Sequence, residues 1–145
     1  MIDETMEYAL TRAIVTGGAG FIGNEVVRQL AARGVEVVAV DNLANGKREN
    51  LADIPAERAR LEVADVRDAE RMRALMRGAD AVFHLACMGV RHSIHSPREN
   101  HAVNAEGTLT LLEAARAEGV RRFVYVSSSE VYGTALWAPM SEEHP

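Results

Sequence analysis

The stretch IVTGGAGFIG, Ile14 to Gly23, decides how the chain is read. It sets four glycines, Gly17, Gly18, Gly20 and Gly23, within seven residues directly after an apolar run. Glycine weakens regular structure by roughly 0.5–1 kcal/mol per position relative to alanine. Such a cluster marks a place where the backbone must be bare. Its neighbours give the context. Arg12–Thr16 (RAIVT) is a short β-branched run and predicts a strand. Downstream, Ile22, Val26, Val27 and Leu30 recur at helical spacing, and Gly34 stands where a helix ends.

Gly18, Gly20 and Gly23 match G-x-G-x-x-G, and Gly17, Gly20 and Gly23 match G-x-x-G-x-x-G. At a strand-to-helix junction this pattern predicts a dinucleotide-binding turn. The first glycines make the turn tight, Gly20 lets the backbone approach a pyrophosphate, and Gly23 lets helix and sheet pack closely. The N–H groups opening the helix would bind anionic oxygens. The plain alternative is a tight turn without a ligand.

Strand-like and helix-like segments alternate along the rest of the chain. Val35–Val40, Arg60–Ala64, Ala81–Ala86 and Arg122–Ser129 predict four more strands. Met72, Leu75 and Met76 share a helical face that stops at Gly78. Ser96 and Pro97 read as N-cap and first residue of a helix running to about Glu118. Strands this apolar, separated by helices, predict a parallel sheet buried on both faces, in the doubly wound order 3-2-1-4-5. Residues 1–10 read as a mobile N-terminal extension, residues 11–145 as one α/β domain, and Ala135–Pro145 has no clear element.

Composition narrows the partners. The chain has 145 residues, is 48% hydrophobic and carries a net charge of -5, with no basic block, so a nucleic-acid partner is not expected. No apolar run approaches the ~18 residues of a membrane span. Cys87 is the single cysteine, which excludes an internal disulfide and suits a reducing compartment, so a cytoplasmic location is expected. His92, His95 and His101 match no common ligand spacing, and no metal site is expected. His92 and His95 lie before the predicted helix and His101 within it.

Asp41 ends the second predicted strand, about 20 residues beyond the glycines, where the dinucleotide fingerprint places an acid on the adenosine ribose. A carboxylate there repels a 2′-phosphate and so favours NAD over NADP, although Lys47 and Arg48 follow closely. The alternative is a turn aspartate, since Asp-Asn favours turns.

Taken together, TGGAGFIG, VDNLANGKREN, ADVRD, VFHLAC, VNAEGT and VSSSEVYG resemble the extended short-chain dehydrogenase/reductases. These are NAD-dependent sugar-nucleotide epimerases, dehydratases and decarboxylases. The resemblance runs from about Arg12 to Pro145 and implies a Rossmann domain, NAD as cofactor and a nucleotide-sugar substrate. It places Gly17, Gly20, Phe21, Ile22 and Gly23 in the cofactor loop, and Asp41 and Asn42 on the ribose. Asp65 and Val66 would border the adenine, and Leu85, Ala86 and Cys87 would line the cofactor near the nicotinamide ribose. Cys87 is expected as a small buried hydrophobe, with a reactive thiol as the alternative. Asn104 is expected behind the active site, the alternative being a helix-surface polar residue. Ser128 aligns with the catalytic Ser/Thr, flanked by Ser127 and Ser129. Glu130 aligns with an acid or base of dehydratases and decarboxylases. Ser129 replaces the aspartate that typical hexose dehydratases carry, which counts against dehydration.

The resemblance also implies a Tyr-x-x-x-Lys base. Tyr8, Tyr125 and Tyr132 are followed four residues on by Arg12, Ser129 and Leu136, and Lys47 is the only lysine. In relatives the motif comes a couple of dozen residues after the catalytic Ser/Thr, and Pro145 lies seventeen beyond Ser128. The expectation is a chain cut inside the dinucleotide domain, before the last strands and the sugar-binding domain. The fifth strand would then be an open apolar edge, suited to an oligomer or a partner fragment.

Overall fold

The computed structural model describes residues 10–145. In chain order it contains β1 (Arg12–Thr16), α1 (Phe21–Ala32), β2 (Glu36–Asp41), β3 (Ala59–Val63), α2 (Ala69–Met76), β4 (Ala81–His84), α3 (Val90–His95), α4 (Pro97–His101), α5 (Gly107–Ala117) and β5 (Arg122–Tyr125). A π-helical turn, Ala102–Glu106, joins α4 to α5. The five strands form one sheet in the order β3-β2-β1-β4-β5, and every neighbouring pair is parallel. Both order and direction are those expected from the sequence. Of the expected N-terminal extension, only Leu10 lies within the described residues, and it packs against the core.

Alternation along the strands builds two cores. Ala13 and Val15 of β1 join Val37 and Ala39 of β2 beneath Val27 and Leu30 of α1. Ile14, Val38, Val40 and Val82 face the other way, onto Met72, Leu75 and Met76 of α2 and Leu111, Ala114 and Ala115 of α5. Each fully buried Val, Leu, Ile or Met contributes about 1.5–3 kcal/mol. Among the described residues no helix is long and apolar enough to cross a membrane.

Several expectations need correction. Only the inner strands are buried on both faces; β3 and β5 are edges and stay half exposed. β4 stops at His84 because β1 has by then entered the glycine turn, and the Ala86 N–H finds the Thr16 hydroxyl instead of a β1 carbonyl. β5 stops at Tyr125 for the same reason, its last bond running from Val126 N–H to the His84 carbonyl. Ser96 occupies the N-cap position before Pro97, but its side chain caps nothing. The unanticipated α3 leaves Val90 and Ile94 exposed, so no buried stripe announces it.

The amino end of β1 is fastened by Asp80. Its Oδ2 accepts from the Thr11 N–H at 2.8 Å, the Thr11 hydroxyl at 2.7 Å and the Arg12 N–H at 3.0 Å. These bonds, with Arg121, hold the carboxyl far below the usual carboxylate range. A depressed folded pKa means that this stabilisation is complete above the unfolded carboxylate pKa and is lost as pH falls below it. Asp80→Ala is expected to cost about 1–2 kcal/mol at pH 7. The difference from wild type should shrink as pH falls below about 4. Denaturant unfolding at pH 7 and pH 3 checks both statements.

Candidate functional site

The carboxyl ends of β1, β2 and β4 open onto one cleft of about 140 Å³. Gly17 and Gly20 form its floor, Asp41–Gly46 and Ala64–Val66 one side, and Leu85–Met88 the other. It lies where strand order reverses between β1 and β4, the position at which open α/β sheets bind ligands.

Gly17 turns the chain out of β1 at φ 67°, and a Cβ there would stand 2.9 Å from the Ala86 nitrogen. The Gly17 carbonyl accepts the Gly20 N–H at 3.0 Å. Gly23, one turn into α1, sits directly on that carbonyl: a Cβ would lie 1.9 Å from its oxygen. No side chain caps α1, and its first turn holds no acidic residue. The first N–H groups of the helix are therefore left without a side-chain acceptor at its amino end. Phe21 and Ile22, at the start of α1, are 92% and 61% exposed and do not line the cleft.

Asp41 is buried at the end of β2. Its Oδ2 accepts the Ala19 N–H at 3.0 Å and its Oδ1 accepts the Leu43 N–H at 2.8 Å. The Ala19 carbonyl in turn accepts the Lys47 N–H at 3.1 Å and the Asn50 amide at 2.7 Å. The segment from Asn42 to Leu51 is thereby folded against the glycine turn. Leu43 adopts φ 59°, a costly conformation for a branched side chain, held in place by its bond to Asp41. Asp65 is forked by Arg67, at 2.9 Å and 2.6 Å, and this pairing holds its carboxyl below the ordinary range. Val66 is buried beside it.

On the opposite wall Leu85, Ala86 and Cys87 follow β4 into the cleft. Cys87 is exposed, which corrects the expectation of a buried hydrophobe; the ladder has ended three residues earlier and nothing covers it. Asn104 lies behind this wall. Its Oδ1 accepts the Met88 N–H at 2.8 Å and its Nδ2 donates to the Met88 carbonyl at 2.9 Å, so it holds the wall without lining the cleft. Ser127, Ser128 and Glu130 are exposed beyond the end of β5 and outside the cleft. The Ser128 hydroxyl accepts the Glu130 N–H at 3.2 Å and caps a single 3₁₀ turn, Ser129–Tyr132. His92 pairs with Glu99 at 2.9 Å. Among the described residues no group of three or more His, Cys, Asp or Glu is placed to hold a metal ion.

The profile of the NAD dependent epimerase/dehydratase family matches residues 13–145. The chain belongs to this family. It is 41% identical over 138 residues to a UDP-glucose 4-epimerase of Mycolicibacterium smegmatis, covering 92% of this chain and 44% of that one. Two solved members superpose on it closely. A UDP-glucose-4-epimerase from Stenotrophomonas maltophila, with bound NAD and formylated UDP-arabinopyranose, gives a TM-score of 0.85 at 35% identity and covers 92% of this chain and 41% of its own. A dTDP-glucose 4,6-dehydratase from Streptomyces venezuelae, with NAD and TYD bound, gives 0.84 at 41% identity and covers 93% and 45%. The chain thus spans about two-fifths of the length of these family members.

Proposed function

We propose that this chain is the NAD-binding portion of a nucleotide-sugar epimerase or dehydratase that works by transient hydride transfer between sugar and cofactor. The observation that carries the reading is the single cleft in which the Gly17–Gly23 cradle faces Asp41 across the ends of β1 and β2. Each Asp41 oxygen accepts one backbone N–H and keeps a second lone pair for a ribose hydroxyl. The residues present therefore suit a dinucleotide.

In this reading the first turn of α1 binds pyrophosphate oxygens, with Phe21 and Ile22 at the mouth. Asp41 and Asn42 orient the adenosine ribose, and Asp65 and Val66 border the base. Leu85, Ala86 and Cys87 flank the nicotinamide ribose, and Asn104 holds that wall in place. NAD, when bound, supplies a hydride acceptor. Ser128, beside Ser127, hydrogen-bonds the sugar oxygen that is oxidised, and Glu130 exchanges a proton on the sugar. The setting is the cytoplasm, and association of two copies or with a partner fragment would add a strand to the open edge of β5.

A second reading, a non-catalytic NAD-binding module or one piece of a split enzyme, is favoured by Ser128 and Glu130 standing exposed and outside the cleft. Calorimetry with NAD, followed by product analysis with UDP-glucose, tests both. The chain is expected to bind one NAD and to form no epimerised sugar on its own. A folded chain that does not bind NAD contradicts both readings. Sugar turnover by the chain alone contradicts the second reading.

A further inference from the structure

His84 ends β4 with its ring only 1% exposed. Its Nδ1 lies 2.7 Å from the Thr16 hydroxyl and its Nε2 2.9 Å from the Thr108 hydroxyl. The proton positions follow from the other partners of these two threonines. Thr108 donates its hydroxyl proton to the Asn104 carbonyl at 2.6 Å, so its oxygen accepts from His84 Nε2–H. Nδ1 then carries no proton and accepts from the Thr16 hydroxyl. The Thr16 oxygen receives the Leu85 and Ala86 N–H groups, each at 3.2 Å. The imidazole is neutral, since burial pushes its pKa down to about 4. The rings of Phe123 and Tyr125 pack beside it, with centroids at 6.1 Å and 5.5 Å.

The chain of bonds continues beyond Thr108. Asn104 lies in the π-helical turn, a feature frequent at functional sites. Its side chain grips both the N–H and the carbonyl of Met88. One connected path therefore leaves Leu85 and Ala86, passes through Thr16, His84, Thr108 and Asn104, and returns to Met88. The segment on which it starts and finishes is the wall of the cleft. The Asp41 carboxylate lies on the opposite wall and takes no part in it.

We propose that His84 is a positioning residue: by joining Thr16 to Thr108 through one fixed tautomer, it sets the backbone of Leu85–Met88 and thereby the affinity of the cleft for its dinucleotide. The proposal rests on the cleft being the NAD site, and its test separates the two claims. Amide hydrogen exchange is measured on the cofactor-free full chain, and NAD affinity is measured alongside. His84→Phe keeps a ring and removes both bonds. It is expected to accelerate exchange at Ala86 and Met88 while Val15 and Val38 keep their protection, and to weaken NAD binding roughly tenfold. His84→Asn, whose amide oxygen can take the place of Nδ1, should restore protection at Ala86 and leave Met88 fast. Thr108→Val cuts the same path one bond further on, and should accelerate Met88 alone even if His84→Phe does not fold. Unchanged exchange at Ala86 and Met88, or acceleration spread evenly across the sheet, overturns the proposal. A wild-type chain that binds no NAD overturns the cofactor reading, and the exchange pattern still decides the role of His84.

Discussion

Gly23→Ala is expected to leave the chain without measurable NAD affinity and to lower its melting temperature by roughly 10 °C. The added carbon would lie 1.9 Å from the Gly17 carbonyl oxygen, 2.8 Å from its carbon and 3.0 Å from the Gly18 Cα. All three are backbone atoms, so no side chain can swing aside. The Gly17 carbonyl is fixed by the Gly20 N–H, and α1 is fixed by Val27 and Leu30 against β1 and β2. Relief therefore requires α1 to lift from the sheet or the turn to open. Overpacking of a well-filled site costs about 1–3 kcal/mol, and a rigid backbone contact belongs at the upper end. Either movement also misplaces the N–H groups that would face the pyrophosphate. Thermal unfolding and calorimetry check the two effects together. A variant that melts within a few degrees of wild type and binds NAD normally contradicts the cradle geometry.

Asp41→Asn is expected to weaken NAD binding about 100-fold, equivalent to roughly 2.7 kcal/mol. The side chain is 8% exposed and receives an N–H on each oxygen. An amide must turn its NH₂ toward either the Ala19 or the Leu43 N–H, leaving two donors face to face. A buried group left unmatched in this way costs about 1–3 kcal/mol. The loss spreads to Lys47 and Asn50, which hold the Ala19 carbonyl, and to the φ 59° conformation of Leu43. The variant also loses the negative charge that disfavours a 2′-phosphate. NADP binding is therefore expected to fall much less, narrowing the preference for NAD. Calorimetry with both cofactors measures the ratio. Equal losses for NAD and NADP would show that Asp41 serves only the fold.

The sheet was legible because its signals are local. Four glycines at a strand-to-helix junction, alternating apolar segments and an acid at the end of β2 are each read within a few residues, and together they give the strand order. The cleft was legible only in part. Asp41 was visible as a carboxylate at the right distance from the glycines, but not the Ala19, Lys47 and Asn50 bonds that fold 42–51 against the turn. Those bonds tie the backbone of Ala19 to distant segments, which no residue type announces. Cys87 was misjudged because its neighbours in sequence are apolar, whereas its exposure depends on where β1 stops pairing with β4. His84 looked like one more residue of a buried strand. Its importance depends on Thr16 and Thr108, 68 and 24 residues away in sequence, meeting the two ring nitrogens. Ser128 and Glu130 were placed by resemblance, and they stand on the neighbouring strand end, exposed and outside the cleft.

The most direct test of the account is the NAD titration followed residue by residue in amide ¹H–¹⁵N spectra of the chain. Saturable shifts are expected at Gly17, Gly20–Gly23, Asp41–Gly46, Asp65–Val66 and Leu85–Met88, with the reverse side of α1 unaffected. A second depression, between Arg28, Asp53 and Arg58, lies on that reverse side and serves as the internal control. Shifts confined to Arg28, Asp53 and Arg58, or a spectrum of the folded chain that NAD leaves unchanged, would contradict the assignment of the cleft.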